Sequence, residues 1–300
     1  GAWRDQDATP GVWTGAAAQP PARGPYSRAG QHARHDGSAV LFPNLGGAGD
    51  RILRIGGAEH FGGETTETVE SLHAGQNGTW VSEHPMPVAD EAPNGSRSFA
   101  NAVILPTAAI LVLGGLCEAD ADGRGPLYSP LLFEDGRWYV LPPNAVTSRR
   151  TYHSVAVLLP DGRVFLAGGD DRDFDYEIFS PAYLNEPGNR PVNGTWLAPA
   201  PFFHPTDLVF DLQRNTTYTF EFAPLPLGQT ITKAVLMAPC SVTHHSDMHQ
   251  RYVELRTDVT NGNRAEFATD VTDKVVPRGI YLLFFVSNTS VSEAKWVRFQ

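Results

Sequence analysis

The sequence places a tyrosine and a histidine side by side, in the run Arg-Thr-Tyr-His-Ser at positions 150–154. The apolar residues that follow predict a strand that begins at Tyr152 and His153. Adjacent residues of a strand point to opposite faces. The two rings can therefore serve one site only if the strand end is bent or the site lies beyond it. A hydrogen-bonded structural histidine is the alternative interpretation of His153.

The segment 241–251 contains three more histidines, His244, His245 and His249, within a stretch of six residues. This segment lies between two predicted strands and is therefore a loop, where functional residues concentrate. A neutral imidazole nitrogen in such a loop could ligate a metal ion. The spacing matches neither C-x-x-C nor H-E-x-x-H, so the common zinc sites are not indicated. A solvated polar loop is the alternative.

The elements that must position these residues include a threefold repeat of two β-rich runs around a short turn. Each copy ends in Gly-Gly, and the copies span residues 38–57, 98–115 and 152–169. Gly-Gly after a strand lets neighbouring backbones approach closely and turn at positive φ. A period near 50 residues with this punctuation is typical of a kelch propeller blade. Three ordinary hairpins of an antiparallel sandwich are the alternative.

Beyond the repeats, residues 181–201 are rich in Pro, Asn and Gly and are predicted to be a linker. Six further strand candidates then predict a small β-sandwich of about 100 residues. No amphipathic helix is evident, so the predicted fold class is all-β. We expect a partial kelch-type propeller of about three blades over residues 1–190 and an Ig-like domain over residues 195–300. Three blades are too few to close a propeller, so we expect upstream blades to lie outside this chain.

Composition limits the partners and the compartment. The formal charge of −10 and a pI near 5.4 argue against a nucleic-acid partner. The longest apolar runs are far shorter than the roughly 20 residues of a membrane-spanning helix. Cys117 and Cys240 could form at most one disulfide bond. Five Asn-x-Ser/Thr sequons favour an extracellular or cell-surface location, and the start at Gly1 suggests a processed or truncated product.

Two stretches of the chain, taken together, resemble a known family. The run RRTYHSVAVLLPDGRVFLAGGD, followed by FSPAYLNEPGNRP, resembles the last propeller blade of the galactose oxidase and glyoxal oxidase group, the copper-radical oxidases. The run APCSVTHHSDMHQRYVEL resembles the loop by which the C-terminal Ig-like (E-set) domain of that group reaches back into the propeller axis. The resemblance extends from about residue 37 to residue 300.

The resemblance implies a copper site. In that family the Tyr-His pair supplies an axial tyrosine and an equatorial histidine to one copper ion, and the Thr-His of the loop supplies a second histidine. The implied ligands are Tyr152, which also accepts a substrate proton, His153 and His244. Cu(II) prefers tetragonal nitrogen and oxygen ligands, which agrees with this set. His245 and His249 are then expected to be neighbours of the ligands or surface residues.

The sequence departs from the family pattern in one respect. The redox partner of copper in the family is a tyrosine covalently linked to a cysteine, and both come from blades upstream of the part matched here. Neither Cys117 nor Cys240 occupies the family position, so the Cys-Tyr radical cofactor is not found in this chain.

The leading hypothesis is therefore the C-terminal portion of an extracellular copper-radical oxidase. It would oxidise a primary alcohol, an aldehyde or a carbohydrate while reducing O₂ to H₂O₂, whereas this chain alone would be inactive. The alternative is a catalytically inactive kelch and Ig-like protein that binds a glycan or a protein partner. Trp3, Trp13 and Trp80 could then supply stacking faces for a sugar.

Overall fold

The computed structural model describes residues 34–42, 51–58, 63–73, 80–89, 94–117, 125–142, 146–169, 174–184, 194–197, 200–204, 206–261 and 263–300. Nearly all regular structure in these residues is β, apart from one 3₁₀ turn at Ala182–Leu184. The predicted all-β class is therefore confirmed. Within the same ranges, no helix has the length and apolar character needed to cross a membrane.

Three antiparallel sheets, here called repeat sheets 1 to 3, follow one another along the chain. Repeat sheet 1 has the order β1-β2-β3-β4, with β1 Ser38–Phe42, β2 Arg51–Ile55, β3 Val69–His73 and β4 Trp80–Ser82. Repeat sheet 2 contains β5 Asn101–Ile104, β6 Ile110–Leu113, β9 Leu131–Glu134 and β10 Arg137–Val140, and the short pair β7 Leu116–Cys117 and β8 Gly125–Pro126 lies between β6 and β9 in sequence. Repeat sheet 3 has the order β11-β12-β13, with β11 Val155–Leu158, β12 Val164–Ala167 and β13 Tyr176–Phe179.

The Gly-Gly pairs lie where the backbone of the next repeat sheet comes closest. Gly56 has φ 59°, and a Cβ at this position would lie 2.1 Å from the Arg97 carbonyl oxygen. The next residue, Gly57, donates its N–H to that same oxygen at 2.7 Å. Gly115 makes the equivalent 2.7 Å bond to the Arg150 carbonyl between repeat sheets 2 and 3. Only glycine permits both the left-handed backbone and the close approach, as the sequence pattern predicted.

The same arginines also bind their own sheets, a feature that the sequence reasoning missed. One arginine from each repeat sheet donates from its guanidinium to the carbonyl of the first glycine of that sheet's Gly-Gly pair. These bonds run from Arg34 to Gly56 at 2.9 Å, from Arg97 to Gly114 at 2.9 Å and from Arg150 to Gly168 at 3.2 Å. We call each arginine, with the glycines that it joins, a Gly–Arg latch. The signal that could have revealed it is an arginine four or five residues before the first strand of each repeat.

The third latch buries a positive charge and compensates it. Arg150 is 0% exposed, and its Nε donates to Glu177 at 2.9 Å while its Nη2 donates to Asp175 at 3.0 Å. A buried guanidinium is tolerated only when such partners replace the water it has lost. The residues just before β11 are therefore held firmly, and these residues include Tyr152 and His153.

The C-terminal part is a two-sheet sandwich. A four-stranded sheet has the order β14-β17-β23-β22, and a six-stranded sheet has the order β15-β16-β25-β24-β18-β21. Their bounds are β14 Gly194–Trp196, β15 Phe202–His204, β16 Val209–Leu212, β17 Thr217–Phe222, β18 Ile231–Met237, β21 Tyr252–Leu255, β22 Thr257–Asn261, β23 Arg264–Ala268, β24 Gly279–Ser287 and β25 Lys295–Phe299. The six strands expected here are all present.

The linker prediction is wrong for one stretch. Gly194–Trp196 forms β14, which pairs antiparallel with β17 and so belongs to the sandwich. The physical reason is that a three-residue strand at a sheet edge needs no alternating apolar pattern of its own. Its Trp196 ring instead packs on Phe210 and Phe220, which lie in other strands.

Strand β24 joins the sandwich to the repeat sheets. Leu282 and Phe284 belong to the apolar core of the repeat sheets, whereas Leu283 and Phe285 belong to the core of the sandwich. Since successive side chains of a strand face opposite ways, this strand is buried on both sides. Its neighbour β18 therefore ends close to the repeat sheets. The chain beyond β18 is the loop that contains His244, His245 and His249.

We expect Arg150→Met to lower the free energy of unfolding by about 3 to 5 kcal/mol, because it removes one partner of a buried ion pair. Arg163→Met is the matched control, since this side chain is 46% exposed and a solvent-exposed ion pair such as the one it forms with Asp161 contributes little to stability. Thermal and urea unfolding of both variants provide the comparison. Equal losses of stability would show that the latch has no special role.

Candidate functional site

Tyr152 and His153 lie in a turn before β11, so the prediction that they begin a strand is wrong. Ser154 N–H donates to the Thr151 carbonyl at 3.0 Å, and His153 has φ 67°. This left-handed residue supplies the bend that one shared site required. The two adjacent rings lie on the same side, with centroids 4.0 Å apart.

The second predicted segment is the loop between β18 and β21, and it contains a hairpin of its own. Strands β19 (Val242–Thr243) and β20 (Ser246–Asp247) pair with Thr243 opposite Ser246. His244 and His245 are thus the two residues of the turn, with φ 51° and 58°. Two-residue turns with both φ positive favour Asn-Gly, and a histidine in such a backbone costs of the order of 1–3 kcal/mol.

Hydrogen bonds dock this loop on two of the repeat sheets. The His245 N–H donates to the Ser154 carbonyl at 3.0 Å, next to the Tyr-His turn. The Gln250 side chain pairs with the edge of β1, donating from Nε2 to the Ala39 carbonyl at 2.8 Å and accepting from the Leu41 N–H at 2.7 Å. The amide thus bonds to β1 as a short strand would. These contacts hold the turn histidines against the start of β11.

The structure brings together the three side chains predicted as ligands. The ring centroids are 4.0 Å apart for Tyr152 and His153, 5.2 Å for Tyr152 and His244, and 4.7 Å for His153 and His244. Two imidazoles bound at right angles to one metal, with metal–nitrogen bonds of about 2 Å, have centroids about 4.5 Å apart. The side-chain types and their spacing fit one metal ion, and the assignment of each as a ligand remains a prediction.

The fit depends on the tyrosine. Among the residues that the structure describes, no three His, Cys, Asp or Glu side chains are grouped so that they could hold a metal ion. His153 and His244 therefore need Tyr152 as a third donor. A phenol oxygen with two imidazole nitrogens is a donor set suited to Cu(II).

A neighbouring hydroxyl orients the His244 ring. Thr243 Oγ1 lies 2.7 Å from His244 Nδ1. When Nδ1 carries the proton it donates to this hydroxyl oxygen, and Nε2 keeps its lone pair for another partner. This arrangement, in which one ring nitrogen is hydrogen-bonded and the other is left available, is the usual one for metal-binding histidines.

The two remaining loop histidines have different environments. His249 is exposed, and its Nδ1 lies 2.9 Å from the Pro239 carbonyl oxygen, as expected for a residue outside the site. His245 was expected to be either a neighbour of the ligands or a surface residue, and the second alternative is wrong because the residue is only 2% exposed. Burial, with a smaller contribution from His244, lowers the pKa of His245 to about 4.

Sequence reasoning missed Phe99, which forms one side of the site. Its ring contacts Tyr152 with a centroid distance of 5.4 Å and His245 with a distance of 5.6 Å. Phe99 lies two residues after the latch arginine of repeat sheet 2, just as Tyr152 does in repeat sheet 3. Alignment of the repeats on their arginines would have found it.

Backbone strain concentrates at this site. Nine non-glycine residues of the described ranges have positive φ, and four of them surround Tyr152, namely Phe99, His153, His244 and His245. Histidine is among the residue types enriched in the left-handed region, whereas a bulky residue such as Phe99 rarely adopts it. Such conformations persist only when the surrounding structure imposes them. The fold therefore presets the ring positions.

The two cysteines lie outside this group of rings. Cys117 is buried in a small cluster with Ala89 and Leu127. Burial, with the nearby Asp247 carboxylate, raises the pKa of the Cys240 thiol to about 12. Both cysteines are free thiols, so they form no disulfide bond with each other.

We expect metal-free wild-type protein to lose more stability than His245→Phe as the pH falls from 6.5 to 4. In this window the unfolded chain protonates His245 while the buried ring stays neutral, so the unfolded state binds the extra proton and is favoured. The difference should approach about 3 kcal/mol at pH 4. Urea unfolding at several pH values in EDTA measures it, with His249→Phe as the control that keeps the wild-type slope. Parallel curves for wild type and His245→Phe would contradict the prediction.

Comparisons with known proteins agree with these observations. Residues 204–299 match the family model described as "Galactose oxidase-like, Early set domain". Galactose oxidase from Gibberella zeae is 28% identical over 272 residues, which cover 85% of this chain and 36% of the relative. The aldehyde oxidase GLOX from Vitis pseudoreticulata is 28% identical over 291 residues, which cover 87% of this chain and 53% of the relative. The chain thus spans about a third to a half of the length of these relatives.

A solved structure shares the fold. It is described as a novel fungal alcohol oxidase with catalytic diversity among the AA5 family, in complex with copper, and it matches with a TM-score of 0.69 at 22% identity. The match covers 89% of this chain and 55% of that one. The predicted resemblance is thereby confirmed: this chain is similar to galactose oxidase and to the aldehyde oxidases, and its residues 204–299 match a galactose oxidase-like early set domain.

Proposed function

We propose that Tyr152, His153 and His244 bind one copper ion, and that the natural full-length protein oxidises a primary alcohol or an aldehyde. The observation that carries the proposal is the meeting of three rings from two segments some ninety residues apart, with centroids 4.0 to 5.2 Å from one another. The similarity to galactose oxidase and to aldehyde oxidases supports the same chemistry.

The electron balance defines what the site must do. An alcohol RCH₂OH that becomes RCHO loses two electrons and two protons. O₂ takes up these two electrons and two protons to become H₂O₂. Bound copper supplies a one-electron redox couple and a positive centre for the substrate oxygen. A second one-electron group is therefore required, and neither Cys117 nor Cys240 lies in the ring cluster. For this reason the activity is proposed for the full-length protein.

Tyr152 is the base in this proposal. Its phenol oxygen would accept the proton of the substrate hydroxyl, a transfer that typically contributes 10²–10⁴-fold to a rate. The ring is held between Phe99 and the two histidines, so its position does not depend on substrate. Phe99 also covers one side of the ring with an apolar group, which keeps water away from that side.

The proposal includes an extracellular or cell-surface location. The support comes from the five sequons at Asn77, Asn94, Asn193, Asn215 and Asn288. A secreted oxidase that releases peroxide outside the cell is compatible with these sequons. Peptide mapping of the natural protein for N-linked glycans tests this part separately.

The alternative is a catalytically inactive binding protein, and one of its three tryptophans is not available for it. Trp80 is 8% exposed, with the Arg54 guanidinium 4.4 Å above its ring, so it offers no free face to a sugar. Trp3 and Trp13 lie outside the described residues. The structural support for glycan stacking is therefore weaker than the support for a metal site.

We expect the double variant His153→Ala, His244→Ala to lose Cu(II) affinity by at least about 100-fold. Removing a residue that only hydrogen-bonds to a metal ligand already lowers metal affinity 10- to 100-fold, and this variant removes two proposed ligands. Copper titration followed by EPR spectroscopy measures this, and His249→Ala should bind copper as the wild type does. Wild-type affinity in the double variant would refute the site.

Copper-loaded full-length protein should release H₂O₂ in proportion to the O₂ consumed when it is given a panel of primary alcohols and aldehydes. Tyr152→Phe should lower the turnover about 100-fold or more, since it removes the base. Copper binding without peroxide on any member of the panel would instead favour the inactive binding protein.

A further inference from the structure

The sulfur-containing residues of this chain differ sharply in their exposure to solvent. The chain has two cysteines and three methionines, and all of them lie within the described residues. Met86, Met237 and Cys117 are buried, at 3%, 4% and 0% exposed, and Cys240 is partly buried. Met248 is 58% exposed. Its thioether is therefore the sulfur that a molecule in solution reaches most easily.

This difference in exposure determines which sulfur reacts with an oxidant. A thioether is oxidised to a sulfoxide, and exposure governs how readily this happens. A buried methionine reacts only when local unfolding exposes it. Cys240 is protected in a second way, because burial, with the nearby Asp247 carboxylate, raises the pKa of its thiol to about 12. The thiol therefore stays protonated at neutral pH, and the thiolate is the form that reacts.

Met248 lies close to the ring cluster. It directly follows β20, in the hairpin whose turn is His244 and His245. The Met248 N–H donates to the Ser241 carbonyl at 2.9 Å and closes the base of this hairpin, at the end opposite the turn. Three residues of extended chain separate Met248 from His245, which is about 10 Å. A small oxidant released at the ring cluster would therefore meet this thioether close to its source.

The hairpin is held in place by groups other than the thioether. Asp247 Oδ1 accepts the N–H of Ser241 and the N–H of His249, each at 2.9 Å. The Gln250 side chain makes the two bonds to β1. Among the described residues, the apolar cores of the repeat sheets and of the sandwich do not include Met248. One oxygen atom added to its sulfur should therefore leave the hairpin in its position.

We propose that Met248 is a modification site, where hydrogen peroxide converts the thioether to methionine sulfoxide. The O–O bond of the peroxide breaks, one oxygen atom bonds to the sulfur, and the other leaves as water. The sulfur loses two electrons and the peroxide gains them. The source of the peroxide rests on the proposed function, whereas the reactivity of Met248 does not. Met248 thus reacts with peroxide at a point where oxidation disturbs neither the hairpin nor the ring cluster.

The first test uses added peroxide and needs no turnover. The metal-free 300-residue chain is treated with H₂O₂ in EDTA, and peptide mass spectrometry follows sulfoxide formation at each methionine over time. We expect Met248 to react at least about tenfold faster than Met86 and Met237, which serve as internal controls because they are buried. The oxidised protein should keep its thermal transition.

The second test measures what the modification does to the site. Full-length protein that was oxidised at Met248 and then loaded with Cu(II) should bind copper within about twofold of the untreated protein, because the changed atom lies on an exposed side chain. Met248→Leu keeps an apolar side chain but has no sulfur at this position. It should therefore show no fast-reacting methionine, and its copper affinity should equal that of the wild type.

Three results would overturn the inference. The first is a similar rate of oxidation at all three methionines, or faster oxidation of Cys240. The second is a loss of copper affinity on peroxide treatment that Met248→Leu prevents. The third is release of H₂O₂ by the copper-loaded full-length protein without oxidation of Met248. Failure of the proposed function looks different, because the full-length protein then releases no H₂O₂ while added H₂O₂ still selects Met248.

Discussion

The close approach of backbones at the Gly-Gly pairs is the constraint on which the rest of the structure depends. The latches of Arg97 and Arg150 each tie one repeat sheet to the next through the arginine carbonyl and close their own sheet through the guanidinium. Phe99 and Tyr152 each follow a latch arginine by two residues. The latches therefore determine where these two rings leave the backbone.

The other half of the site comes from a different domain. Strand β24 contributes alternate residues to two cores, so the sandwich and the repeat sheets share a wall of apolar side chains. Burial of apolar area of this kind is the main source of stability in a protein of this size. It also explains how a hairpin loop can carry two histidines in left-handed backbone, since docking through Ser154 and Gln250 offsets the strain.

One tight turn gives two neighbouring histidines different environments. His244 lies half-buried beside Tyr152 and His153, and its Nδ1 is paired with Thr243. His245 lies buried against Phe99, where low polarity keeps the imidazole neutral at pH 7. Adjacent residues in a sequence can thus serve different purposes when the backbone reverses between them, and their spacing alone does not reveal it.

The sequence by itself determined the all-β class and the repeated hairpins with their glycines, and its resemblance to a known family pointed to the three rings that meet. Strong local signals carried these predictions: paired glycines, alternating apolar runs and the distinctive Tyr-His and Thr-His strings. Only the tertiary structure decided that Tyr152 and His153 lie in a turn, that β14 belongs to the sandwich, and that His245 is buried. Each of these depends on partners distant in sequence, whose contacts no local pattern encodes.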